Sequence, residues 1–153
     1  MPNSYVKMYV HAVFGVKYRQ ALLSKQWRDR LFRNIGKIIN DEGCREIIVN
    51  GVEDHVHCLF FLKSDVKLSR VMQRVKSLSS GWINKNGLTR CKFSWQSGYG
   101  AFSHGESSVN TVIRYIERQE EHHAKKTFHE EYIDLLEKFD IDYDERYVFQ
   151  ELE

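Results

Sequence analysis

The sequence predicts an α+β domain of the split βαβ (ferredoxin-like) kind. A four-stranded antiparallel sheet is backed by two helices, and a further C-terminal helix follows on a glycine hinge. Three observations predict it. Strand-type and helix-type segments follow the order strand–helix–strand–strand–helix–strand. The 153 residues, 42% hydrophobic and 29% charged, suit one compact unit. The short connection Asn50–Asp54 makes the middle strands an antiparallel hairpin.

Tyr5 to Phe14 is β-branched and aromatic, with no glycine until Gly15, and reads as a largely buried first strand. Ser24 predicts the cap of a helix reaching about Glu42. Trp27, Leu31, Ile35, Ile38 and Ile39 share its apolar face, and Gly43 stands just past its end. Cys44–Asn50 reads as a second strand with Gly51 as its turn, and His55–Leu62 as a third. Leu68, Val71, Met72, Val75, Leu78, Trp82 and Ile83 keep helical spacing to about Asn84. Phe93 and Trp95 predict a fourth strand. Gly98, Gly100 and Gly105 then fall within eight residues and predict a mobile connection. Ser107 or Ser108 opens a third long helix with Val109, Val112, Ile113 and Ile116 on its apolar face, and a short helix spans about Tyr132–Phe139. The expected organisation is residues 1–129 as the main domain and 130–153 as a short helix with an acidic tail.

The net charge of +2 conceals an asymmetry. From Glu130 onward, ten acidic residues face only Lys138 and Arg146, a net of −8, so residues 1–129 carry 21 basic and 11 acidic residues, a net of +10. On charge alone this is either an ordinary uneven surface or the sign of a polyanionic partner for the body, and the tail is expected either to pack against the basic body or to restrain non-specific DNA binding. Cys44, Cys58 and Cys91 are odd in number and widely spaced, which supports neither a disulfide scaffold nor a Cys-x-x-Cys zinc site. No run approaches the roughly 18 apolar residues of a membrane span, and no signal-peptide core is present, so a cytoplasmic location is expected.

His55-Val56-His57 lies within the third strand, so both imidazoles project from one face. They form either a pair of metal ligands or two hydrogen-bonded core histidines. A histidine-triad hydrolase would need a third histidine where Leu59 stands. Tyr115 and Gln119, four apart on the third helix, stack beside its apolar stripe. His11 reads as a strand residue facing core or groove, and His122 and His123 as helix-surface residues.

Taken together these residues resemble a family. Asp54-His55-Val56-His57 with its following hydrophobic run is similar to the HUH motif of single-tyrosine transposases of bacterial insertion sequences, including those associated with repetitive extragenic palindromes (REP). Phe93-Ser94-Trp95-Gln96-Ser97-Gly98-Tyr99-Gly100-Ala101-Phe102-Ser103 resembles the family's Trp-Gln and Gly-Tyr-Gly-Ala-Phe segment. Tyr115-Ile116-Glu117-Arg118-Gln119, followed by Glu120-Glu121-His122-His123, resembles its nucleophile helix. The likeness runs to about Tyr147. Glu53, where many members carry proline, and His104 depart from the pattern.

The resemblance implies Tyr115 as nucleophile and His55, His57 and Gln119 as ligands of one divalent cation, Mg²⁺ or Mn²⁺. Imidazole and amide oxygen tolerate the first and suit the second somewhat better. Attack by Tyr115 would leave a 5′-phosphotyrosine and a free 3′-hydroxyl, and the covalent link stores the bond for rejoining. It also implies single-stranded DNA with hairpins as substrate. A homodimer is implied as well, in which one subunit's tyrosine helix can complete the other's site. Lys17 and Arg19 after the first strand, Arg30, Arg33 and Lys37 on the first helix, and Arg70, Arg74 and Lys76 on the second are the expected DNA contacts, with Tyr99 or Phe102 stacking on unpaired bases. The alternative from another class is a non-catalytic, domesticated DNA-hairpin-binding protein. A plain RNA-binding sheet gives no reason for two histidines, Tyr115 and Gln119 to coexist.

Overall fold

The computed structural model describes residues 5–144. The acidic tail beyond Asp144 lies outside them. Four strands, β1 (Tyr9–Gly15), β2 (Arg45–Gly51), β3 (His55–Phe61) and β4 (Gly100–His104), form one sheet in the order β2-β3-β1-β4. All neighbours are antiparallel. This is the expected split βαβ arrangement, with the two crossover helices α1 (Arg28–Asp41) and α2 (Leu68–Lys85).

Period-two alternation assigns the two sheet faces. Val10, Ala12 and Phe14 of β1 and Val56, Cys58 and Phe60 of β3 turn toward α1 and α2, where they join Leu31, Ile35, Ile39, Val71, Met72 and Val75 in the main core. Tyr9, His11 and Val13 of β1 and His55, His57 and Leu59 of β3 turn the other way. That second face is also covered, by α3 (Val109–Glu117), α4 (Gln119–Lys125) and α5 (Phe128–Lys138). Val112 and Ile116 of α3 pack on Tyr9 and Leu59. Phe128, Tyr132 and Leu136 of α5, one helical turn apart, pack on Val13 and Phe102. A capping box at Thr127 and Glu130 starts α5.

Several expectations are corrected. β1 begins at Tyr9 rather than Tyr5. Ser24 does not cap α1; its Oγ accepts from the Gln26 amide in a turn that precedes the helix. Gly51 stays in β2, opposite Val56, and the reversal falls on the next three residues. Gly43, at φ +92°, ends the first helix as expected.

The fourth strand is not at Phe93–Trp95. Both rings are buried, Trp95 edge-on to Phe14 and Phe93 edge-on to Trp95, and Trp95 contributes one isolated bridge to Val16. The strand lies in the glycine-rich stretch itself, where Gly100 to His104 pair with Val13 to Tyr9. Gly100 is required by packing rather than mobility, because a Cβ there would come within 2.9 Å of the Tyr132 ring. The third long helix is two helices. At Arg118 the backbone leaves helical geometry (φ −97°, ψ 26°), separating α3 from α4.

Candidate active site

The second sheet face gathers the titratable groups. His55 and His57 are within 1% of full burial, and each ring has one nitrogen anchored behind it. Nδ1 of His55 lies 2.7 Å from Oδ1 of Asp54, and Nδ1 of His57 lies 2.8 Å from Nε2 of His11 on the neighbouring strand. The anchoring leaves both Nε2 atoms facing one point. There Oε1 of Glu131 sits 2.9 Å from His55 and 3.2 Å from His57, and Oε1 of Gln119 sits 3.1 Å from His55. The Tyr115 hydroxyl donates to Oε2 of Glu131.

Each part has a local cause. β1 and β3 are the central strands, so His11, His55 and His57 stand on the most constrained backbone in the sheet. The side chain of Asn50 on β2 donates to the Ile116 carbonyl at the end of α3, 2.9 Å away, which fixes the helix carrying Tyr115. The break at Arg118 turns Gln119 inward, fully buried, with Nε2 3.4 Å from the Tyr115 carbonyl. Glu131 occupies the buried side of α5, three residues after Phe128, whose ring stacks on His55 at 4.2 Å. Buried Arg28 at the start of α1 bonds Glu120 at 3.0 Å, tying α4 to the first layer.

The charges are interdependent. Burial alone would lower the pKa of His55, but hydrogen bonds with Asp54 and Glu131 outweigh it and push it up to about 9. Burial would raise Glu131, but both histidines hold it well below the usual carboxylate range. For His57 burial wins, and its pKa falls. Burial, and then the Glu131 carboxylate, push Tyr115 up.

The donor set fits a divalent cation. Two buried nitrogens and two oxygens converge, and the outer nitrogens are held by Asp54 and His11 as metal-binding histidines require. His55, His57 and Glu131 present ligand atoms within 4.8 Å of one another. Asp54, His55 and His123 form an overlapping group with the same spacing.

The four residues singled out from sequence, His55, His57, Tyr115 and Gln119, therefore meet. The basic residues do not join them. Arg30, Arg33 and Lys37 lie on the outer side of α1, across the sheet. Arg70 and Arg74 pair with Glu42, and the Lys76 ammonium bonds the carbonyls of Gln96 and Gly98. Lys17 and Arg19 lie in a short 3-10 turn after β1, where Nη1 of Arg19 reaches Nδ1 of His129 on α5 at 2.6 Å. His122 stacks obliquely on Tyr115 and His123 meets Glu53 at 2.8 Å, so neither is a free surface histidine. Glu131 was missed. The available signal was an acidic residue inside the Phe128–Tyr132–Leu136 stripe.

A family model described as "Transposase IS200 like" matches residues 4–119. No curated protein matches the chain. Among solved structures, a candidate transposase from Deinococcus radiodurans R1 superposes with a TM-score of 0.64 at 18% identity, over 78% of this chain and 95% of that one. A REP-associated tyrosine transposase bound to a REP hairpin superposes with a TM-score of 0.60 at 18% identity, over 94% of this chain and 91% of that one. At such identities the likeness concerns the fold.

Proposed function

The chain belongs to the IS200-like transposase family, and from that premise we propose that it cuts and rejoins single-stranded DNA beside hairpins through Tyr115. The observation that carries this reading is the buried convergence of His55, His57, Gln119 and Glu131 against the Tyr115 hydroxyl.

In this proposal the Tyr115 oxygen attacks a backbone phosphorus. The bond from phosphorus to the 3′ oxygen breaks, the 3′ oxygen takes up a proton, and the 5′ phosphate stays on the tyrosine. The phenolic proton passes to Oε2 of Glu131, the acceptor it already faces, as the new bond forms, and Glu131, held well below the usual carboxylate range, hands it on to the departing 3′ oxygen. A later 3′-hydroxyl attacks the phosphotyrosine and returns the bond to DNA, so no nucleotide cofactor is needed. His55 and His57, with oxygens from Gln119 and Glu131, would hold one Mg²⁺ or Mn²⁺. When bound, the cation supplies Lewis-acid neutralisation of the non-bridging phosphate oxygens. Phe128, stacked on His55, keeps bulk water from that side of the ring.

A homodimer belongs to the same proposal. Gly105, which precedes the Tyr115-bearing segment, has no neighbours within 4 Å of a Cβ position. In the chain as folded, α3 lies over its own sheet. Light scattering with and without hairpin DNA reads the assembly. Among the described residues no helix is long and apolar enough to cross a membrane, in keeping with a proposed place in the cytoplasm.

The test uses labelled single-stranded hairpins with randomised flanks, incubated with Mn²⁺ or Mg²⁺ and resolved on a denaturing gel. An adduct that disappears with Tyr115→Phe and with chelator is expected. Tight binding with no adduct on any substrate would replace this reading with a hairpin-binding protein.

A further inference from the structure

Tyr115 lines two cavities. The larger, about 370 Å³, lies between α4 and α5 and is lined by Lys125, Lys126 and Lys138 together with the carboxylates of Glu131 and Asp134. The smaller is about 130 Å³. Its walls come from His11, His104, Thr111 and Phe139. Tyr115, Leu135 and Lys138 belong to both.

The two differ in chemistry. Lys126 is paired with Asp134, but Lys125 and Lys138 make no ion pair among the described residues. They leave the larger cleft suited to a polyanion backbone. The smaller cavity is aromatic. The His104 and Phe139 rings meet edge to face at 5.5 Å, and Phe102 packs behind Phe139 at 4.8 Å. At 130 Å³ it is well below the roughly 300–1,000 Å³ of sites that take drug-sized ligands, so it suits a single ring system. One of its wall residues carries an unspent polar group, turned away from the open space. Nε2 of His104 is shielded from water and has no hydrogen-bond partner among the described residues. A small turn of the ring toward a base edge would satisfy it.

We infer that the smaller cavity is a nucleobase pocket, taking one unpaired base beside the phosphate that faces Tyr115, with His104 reading its edge. The inference rests on the strand-cutting reading above. Stacking of splayed bases on aromatic and imidazole rings is the common way proteins hold single-stranded nucleic acid, and edge hydrogen bonds add selectivity. Tyr115 and Lys138, shared by both cavities, would sit where the base-bearing sugar joins the backbone.

The experiment uses a pool of single-stranded DNA hairpins with fully randomised flanks. Adducts formed with Mn²⁺ are sequenced for the native protein, His104→Ala and Thr111→Trp. Thr111 is exposed at the cavity wall, so a tryptophan there blocks the pocket without burdening the core. The native protein is expected to show a strong base preference at one position next to the linked nucleotide. Both variants should flatten that position by about tenfold, the scale of one lost base contact, and keep the preferences elsewhere. An unchanged profile in either variant, or a native profile with no preferred base beside the linkage, overturns the pocket. The same pool is also selected for binding to Tyr115→Phe, with and without each pocket substitution. If no adduct forms anywhere but the base preference in binding is lost on substitution, the cutting reading fails and the pocket stands. If the binding preference ignores both substitutions, the pocket fails alone.

Discussion

The Tyr115 hydroxyl donates to one oxygen of Glu131, sixteen residues further along the chain, while the other oxygen of that carboxylate meets both His55 and His57. One side chain on α5 thus couples the candidate nucleophile to the candidate metal ligands. Its removal and the tyrosine's removal should have different signatures.

Tyr115→Phe deletes only a hydroxyl. It should abolish the covalent DNA adduct and lower stability by about 1.5–3 kcal/mol, the range for a hydrogen bond to a charged group. Hairpin binding should persist. Denaturant titration beside a gel-shift assay checks both halves.

Glu131→Gln removes the negative charge that stabilises protonated His55. The His55 pKa should fall from about 9 by at least about one unit, read by NMR titration of the imidazole. Mn²⁺ affinity should drop at least about tenfold, because one anionic oxygen leaves the donor set. An unaltered His55 titration would mean that Asp54 alone holds the proton.

The pH dependence follows from the same pair. The folded pKa of His55 lies above the ordinary 6.5, so its contribution to metal-free stability is complete below about pH 6.5 and is lost as pH rises through about 9. His57, lowered by burial, titrates beneath that window. The metal-free melting temperature should decline between pH 6.5 and 9. Over the same range the apparent metal affinity should rise by about tenfold per pH unit, since one proton must leave His55. Calorimetry at three pH values checks the opposite slopes.

His11 should matter without touching a metal. Two neutral imidazoles can share a hydrogen bond in either sense, so His11 can donate to Nδ1 of His57 or accept from it. Accepting is the sense that leaves Nε2 of His57 bare for a cation. His11→Leu should weaken Mn²⁺ binding by about 10–100-fold, the usual scale for such outer partners, and His11→Gln should recover part of it.

Gly15→Ala should act on the site from a distance. A Cβ there would lie 2.3 Å from Cε2 of Phe128 and 2.6 Å from Oε1 of Gln96. The ring must move, and Glu131 on the same helix moves with it. A cost of about 1–3 kcal/mol and faster hydrogen exchange across α5 are expected.

The histidine pair and the tyrosine helix were legible because each is local. His55-Val56-His57 declares its geometry through strand periodicity, and Val109, Val112 and Ile116 do so through helical spacing. Glu131 was hidden because its meaning depends on α5 folding back over Val13 and Phe102, contacts more than a hundred residues away for Val13. In the sequence it is one of ten carboxylates in an acidic end. The fourth strand was misplaced for a related reason. Phe93 and Trp95 carry strand propensity but serve as core plugs, whereas Gly100 carries none and is admitted because Tyr132 fills the space above it. Tertiary context overrode local preference in both cases.

Val56 gives the histidine pair an unadvertised dependency. It is fully buried on the sheet face away from the histidines. A polar or larger residue at 56 would leave every donor atom chemically intact and still tilt both rings off their shared point, by levering the strand from behind. Variation between the two histidines should therefore be as sparse as at the histidines themselves, limited to apolar side chains of similar bulk. A copy of this chain could lose its chemistry there while keeping every residue a motif search would count.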